Sequence, residues 1–287
     1  MEKKRPTYFG KAVASFLLVL LTMPLGHALM IIMERTISPG VLHVSAFAMG
    51  FAGMLLAVAG IFACGDLKQT LCGLFGGLLF WTGWVEFMFQ YYADRFGMQP
   101  YVDELTGKVT QPEYLIMPAS FGFMMMFMLL YLFSIRSGCN FFNWWQKRLL
   151  GSRRDTVVAR PMTRHTSLVT FMELNMMMWA CYVVLMFCYD TNFLGDTHPV
   201  TIGLAILCLV GSAFIFIKQT RLASWGANIR MAIATVLVFW TFVEILGHIG
   251  LLDEIWVAPM EHVVEMCVLF AAFIGLGAYT LYASFRR

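Results

Sequence analysis

The chain has 287 residues, 60% of them hydrophobic and only 13% charged, with a formal net charge of +3. A soluble domain carries about 25% charged residues, so this composition excludes an ordinary soluble fold and points to an integral membrane protein. The small basic excess is explained by membrane topology and leaves no footprint for nucleic acid.

A helix needs roughly 20 mainly apolar residues to cross the hydrocarbon core. Eight such stretches succeed one another: 12–33, 43–64, 69–91, 114–135, 167–189, 199–217, 231–251 and 258–284. Backbone groups in lipid must be satisfied within their own segment, so the expected fold is all-α, a polytopic bundle of about eight transmembrane helices. The basic start MEKKRPTYFGK runs into the first stretch with no small-residue cleavage site, so no cleaved signal peptide is expected. Seven cysteines are scattered with no CxxC pair, which gives neither a disulfide framework nor covalent haem attachment.

Lys and Arg set the orientation. With both termini cytoplasmic, 17 of the 20 basic residues fall on the inner side, and 13 of the 17 acids fall on the outer side. The expected location is a bacterial-type inner membrane. The most basic segment, 136–166, is read as a cytoplasmic connection between two four-helix repeats, 1–135 and 167–287. The repeats show in the sequence. Phe80-Trp81-Thr82 precedes Val85-Glu86 in the third stretch, and Phe239-Trp240-Thr241 precedes Val243-Glu244 in the seventh. Pro112-Glu113-Tyr114 leads to Pro118 as Asp253-Glu254-Ile255 leads to Pro259, and His43 and His198 open the second and sixth stretches.

Several residues along the way have a plain and a functional reading. His27, in the first stretch, suits a core histidine better than a proton-path or haem-ligand role. His43 and His198 are expected to cap their helices. Glu173 is expected to snorkel with Asn175 to the cytoplasmic surface, with a proton route as the other reading. FGFMMMFMLL at 121–130 and Met176-Met177-Met178 could offer thioethers to Cu(I), but without a spacing that aims several sulfurs at one centre, packing is the better reading. Trp144, Trp145, Trp225, Trp240 and Trp256 fit interfacial belts.

The densest cluster of ionisable residues lies near the C-terminal end. Glu244, His248, Asp253, Glu254, Glu261, His262 and Glu265 fall within 22 residues around the seventh and eighth stretches. Glu244 and His248 are i, i+4 and share a helix face. Pro259 suits the first turn of the eighth helix, which would make His262 and Glu265 i, i+3 on it. Two antiparallel helices would then bring Glu244, His248 and His262 to one depth. Two imidazoles and a carboxylate suit copper, zinc or iron, and Asp253, Glu254, Glu261 and Glu265 could hold the far ring nitrogens or ligate. Solvated helix-end charges, a proton path or an acidic vestibule explain the same residues, and Asp253 and Glu254 read most simply as loop charges.

At these residues the sequence resembles the C subunit of the copper membrane monooxygenases, the family of particulate methane monooxygenase and ammonia monooxygenase. That protein has a polar residue, a His four positions on, and a second His fourteen later, with a run close to EE-(L/I)-(F/W)-VAP between them. Glu244, His248 and His262 have this spacing, Gly247 precedes the first His, and Asp253-Glu254-Ile255-Trp256-Val257-Ala258-Pro259 matches the run. The resemblance implies copper held by His248 and His262, with Glu244 replacing the family's usual amide. It implies two partner subunits, and oxidation of a small apolar or nitrogenous substrate (methane, a short alkane or ammonia) by dioxygen. A second family site, made by an Asp and two His, maps to Glu86, Gln90 and Ser120 or Phe121, where no histidine stands. The similarity is dense over 239–266 and diffuse elsewhere, as for a divergent member. The missing histidines leave two other readings: a non-catalytic metal-binding or assembly subunit, and a transporter with an acidic outer vestibule.

Overall fold

A computed structural model describes residues 7–102, 109–110, 116–134, 140–153, 165–190 and 193–285. Helices α1 (Phe9–Leu20) and α2 (Thr22–Thr36) are nearly continuous, and α3 is Pro39–Ala59. Helix α4 (Asp66–Phe80) passes through a π-helical turn (Trp81–Glu86) into α5 (Phe87–Arg95). Two short strands come next, β1 (Tyr101–Val102) and β2 (Val109–Thr110), paired antiparallel with Tyr101 opposite Thr110. The remaining helices are α6 (Phe121–Ser134), α7 (Asn140–Leu150), α8 (Thr166–Tyr189), α9 (Pro199–Gln219), α10 (Trp225–His248) and α11 (Val263–Phe285).

Among the described residues, seven helical segments are long and apolar enough to cross a membrane, so the chain is an all-α, multi-pass membrane bundle. Seven of the eight expected stretches correspond to these segments. The remaining one, 114–135, is represented by the 14-residue apolar α6 after a 3₁₀ turn at Met117–Ser120. Pro112, Glu113 and Tyr114, which carry part of the repeat, lie outside the described residues, as do 135–139 and 154–164 of the basic connection.

Helix α10 is central and largely buried, whereas α11 is mostly exposed, and its Val264, Val268, Phe270 and Ile274 turn outward as a lipid-facing surface should. Helix α3 packs on α4 as α9 packs on α10; α8 packs on α4 as α1 packs on α10; and α4 and α10 meet each other. Under the first-to-fifth, second-to-sixth, third-to-seventh correspondence, each of these pairings maps onto its partner. Helices α3 and α4 approach closely because both are glycine there. A Cβ on Gly53 would lie 2.6 Å from the Gly76 carbonyl oxygen, and one on Gly76 would lie 2.7 Å from that of Gly53. Near the start of α10, Arg230 pairs with Asp66 at the start of α4 at 2.8 Å. Nearby, Gln219 donates to the Ala12 carbonyl and accepts from Thr235, tying α9 to α1 and α10.

Several expectations change at this level. Pro259 does not open the last helix. Residues 255–261 form successive turns and α11 begins at Val263, so His262 precedes the helix. Glu173 does not snorkel; it is 3% exposed within α8, which packs against α4 and α10. Trp225, Trp240 and Trp256 are buried, while Trp144 and Trp145 are exposed. Met176, Met177 and Met178 belong to the main core, as packing residues do. His198 caps α9, its Nδ1 accepting from the Val200 amide at 3.2 Å. His43 caps nothing: the helix starts at Pro39, and the His43 ring lies edge-on to Tyr91. The repeat-equivalent of His198-Pro199 is therefore Ser38-Pro39.

Candidate functional site

Helices α2, α5, α8 and α10 end around one cavity of about 750 Å³. The volume lies within the range of small-molecule sites. Glu34, Glu86, Asp94, Glu244 and Glu254 line it, with His27, Arg35, Gln90 and His248. Met30, Ile31, Leu185, Met186 and Trp256 supply apolar wall.

Glu244 reaches the chamber from the penultimate turn of α10. The Trp240 indole N–H, one turn earlier, donates to its carboxylate at 2.6 Å. Trp240 is buried and packs against Trp256, with ring centroids 4.9 Å apart. His248 is on the next turn. Its imidazole stacks on the Tyr189 ring at the end of α8, with centroids 3.8 Å apart and planes at 19°.

The chain leaves α10 through a left-handed glycine. Gly250 has φ +77°, its amide donates to the Gly247 carbonyl and the Leu251 amide donates to that of Leu246, which is a Schellman closure. That reversal folds Glu254 back over Gly247. A Cβ at 247 would collide with the Glu254 carboxylate, which explains why glycine stands directly before the histidine.

The first half contributes Glu86, Gln90 and Asp94, spaced four apart on one face of α5 and its π-turn. Trp81 to Glu86 is five residues, whereas Trp240 to Glu244 is four. A π-turn spans i to i+5, so it absorbs the extra residue and keeps Glu86 on the chamber side, although the Trp81 indole, unlike that of Trp240, makes no hydrogen bond among the described residues. Helix α5 also ends in a Schellman closure, at Gly97 with φ +67°.

The expected metal set is brought together only in part. Glu244 and His248 line the chamber, joined by Glu254. His262 is not among the lining residues; its Nδ1 lies 4.0 Å from Glu265 on a side chain that is 39% exposed. Asp253, Glu261 and Glu265 are exposed and outside the lining. Among the described residues, no three His, Cys, Asp or Glu side chains are grouped to hold an ion. The residues in this arrangement do not fit the expected three-donor copper site, because α11 starts after His262 and leaves that side chain on the outer turns. Ser120 accepts from the Trp179 indole at 2.7 Å and is not at the chamber.

Sequence reasoning missed Glu34, Arg35, Asp94 and Tyr189 as chamber residues. The i, i+4, i+8 spacing of Glu86, Gln90 and Asp94 was a readable signal for Asp94; nothing local marks Tyr189, which reaches the site through helix packing. Comparison with family models, curated proteins and solved structures finds no match for the chain.

Proposed function

We propose that this chain is a membrane subunit of a copper-dependent monooxygenase-like complex, and that its functional centre is the chamber at Glu244 and His248, on the periplasmic side of a bacterial-type inner membrane. One observation carries the reading: two residues of the family-like motif, and the repeat-related Glu86 and Gln90, face a single cavity of about 750 Å³. Its mixed lining suits a small substrate of the methane, short-alkane or ammonia class. Apolar side chains receive the molecule, and the carboxylates and His248 supply polar contacts. Partner subunits belong to the proposal, since this chain supplies two of the three expected donors to the chamber.

A second reading has its own observation. Five carboxylates against one Arg line the chamber, which suits an ion-entry vestibule of a transporter built from two four-helix repeats.

Metal content by mass spectrometry, with EPR of the oxidised complex, tests both. The proposal expects near-stoichiometric copper in the assembled complex that is lost in His248→Ala, with His262→Ala as the control outside the chamber. Copper absent, or indifferent to His248→Ala, overturns it. Gradient-driven flux in proteoliposomes without bound copper then establishes the transporter.

A further inference from the structure

We infer that Tyr189 is the positioning residue of the chamber: its ring holds the His248 imidazole in one plane. The inference rests on the reading of the chamber at Glu244 and His248 as the functional centre. The two rings come from different helices, α8 and α10, and both line the cavity. They stack nearly parallel with centroids 3.8 Å apart, tighter than the roughly 4.5–7 Å usual for aromatic pairs.

Both supports are tied down by backbone hydrogen bonds. After Tyr189 the chain is pinned where the Asp190 carbonyl accepts from the amides of Phe193, Leu194 and Gly195. Thr201 on α9 donates to the Gly195 carbonyl at 2.8 Å. On the other side, the helix end that carries His248 is closed by the Schellman motif at Gly250. Stacking on one face restricts rotation about Cβ–Cγ to the two orientations, related by a 180° flip, that keep the imidazole parallel to Tyr189. The plane of the His248 ring is therefore set by Tyr189, and a hydroxyl is not needed for this.

The test uses the full chain in detergent or native-like membranes. Carbethoxylation of His248 by diethyl pyrocarbonate is followed by peptide mass spectrometry, with His198 as internal control. Tyr189→Phe keeps the ring and is expected to keep the wild-type rate. Tyr189→Leu removes it and is expected to raise the His248 rate about two- to tenfold, the range that corresponds to one aromatic pair, with His198 unchanged. Tyr189→Met is measured alongside, so that misfolding of one variant still leaves a readable ring-free chain. A His248 rate unmoved in the ring-free variants, or moved equally in Tyr189→Phe, overturns the inference. The readout does not depend on copper or turnover, so the inference can stand when the monooxygenase reading fails.

Discussion

Single contacts set what the chamber presents. The Trp240 indole donates to Glu244 at 2.6 Å across one helical turn. Trp240→Phe removes that donor and keeps the packing against Trp256. It is expected to lower stability by about 1–3 kcal/mol, the cost of losing one partner of a half-buried hydrogen bond. Thermal unfolding in detergent checks this, and a cycle with Glu244→Gln separates the bond from the packing. Gly247 acts by lacking a side chain. Gly247→Ala is expected to fold and to displace the Glu254 carboxylate, because the new methyl occupies its place. Faster reaction of Glu254 with a water-soluble carbodiimide reports that displacement; an unchanged rate shows that the carboxylate does not rest on the glycine.

Elements set which residues share the chamber. The π-turn at Trp81–Glu86 corrects a one-residue insertion relative to the second repeat. Deleting Thr82 is expected to convert the turn to regular α-helix and to keep Glu86 and Gln90 on the chamber wall, because the shortened segment then matches Trp240–Glu244. Introducing Gln90→Cys and measuring its labelling by a membrane-impermeant maleimide tests this: the cysteine is expected to label equally in the parent and after the deletion. Protection after the deletion shows that the π-turn does more than absorb the extra residue. The two glycine closures, Gly97 after α5 and Gly250 after α10, act at the same level, since each turns its chain sharply at the chamber rim.

In the molecule as a whole, the site exists because the two halves meet at α4 and α10. The α3–α4 crossing seats the first half through Gly53 and Gly76. Gly76→Val forces backbones apart where a Cβ already has no room. The expected cost is about 1–3 kcal/mol, with a lower unfolding midpoint. The same change at Gly275 on α11, where a Cβ meets nothing within 4 Å, is expected to leave the midpoint unchanged. Equal effects at the two glycines would remove close helix approach as the reason for the first.

The membrane class, the all-helical fold and the position of seven spans are legible in the linear chain, because composition and the length of apolar runs are physical requirements of a bilayer. Glu244 and His248 are legible too, as face-sharing residues, through their i, i+4 spacing. The reading of Pro259 as a helix start failed because proline is equally at home in the turns that occupy 255–261. That failure misplaced His262. The assembled bundle was needed to reveal that α2 and α8 close the chamber, that Glu86 faces it despite an extra residue, and that Tyr189 covers His248. Those are contacts between segments far apart in the chain, and local periodicity carries no information about which distant helix packs on a given face.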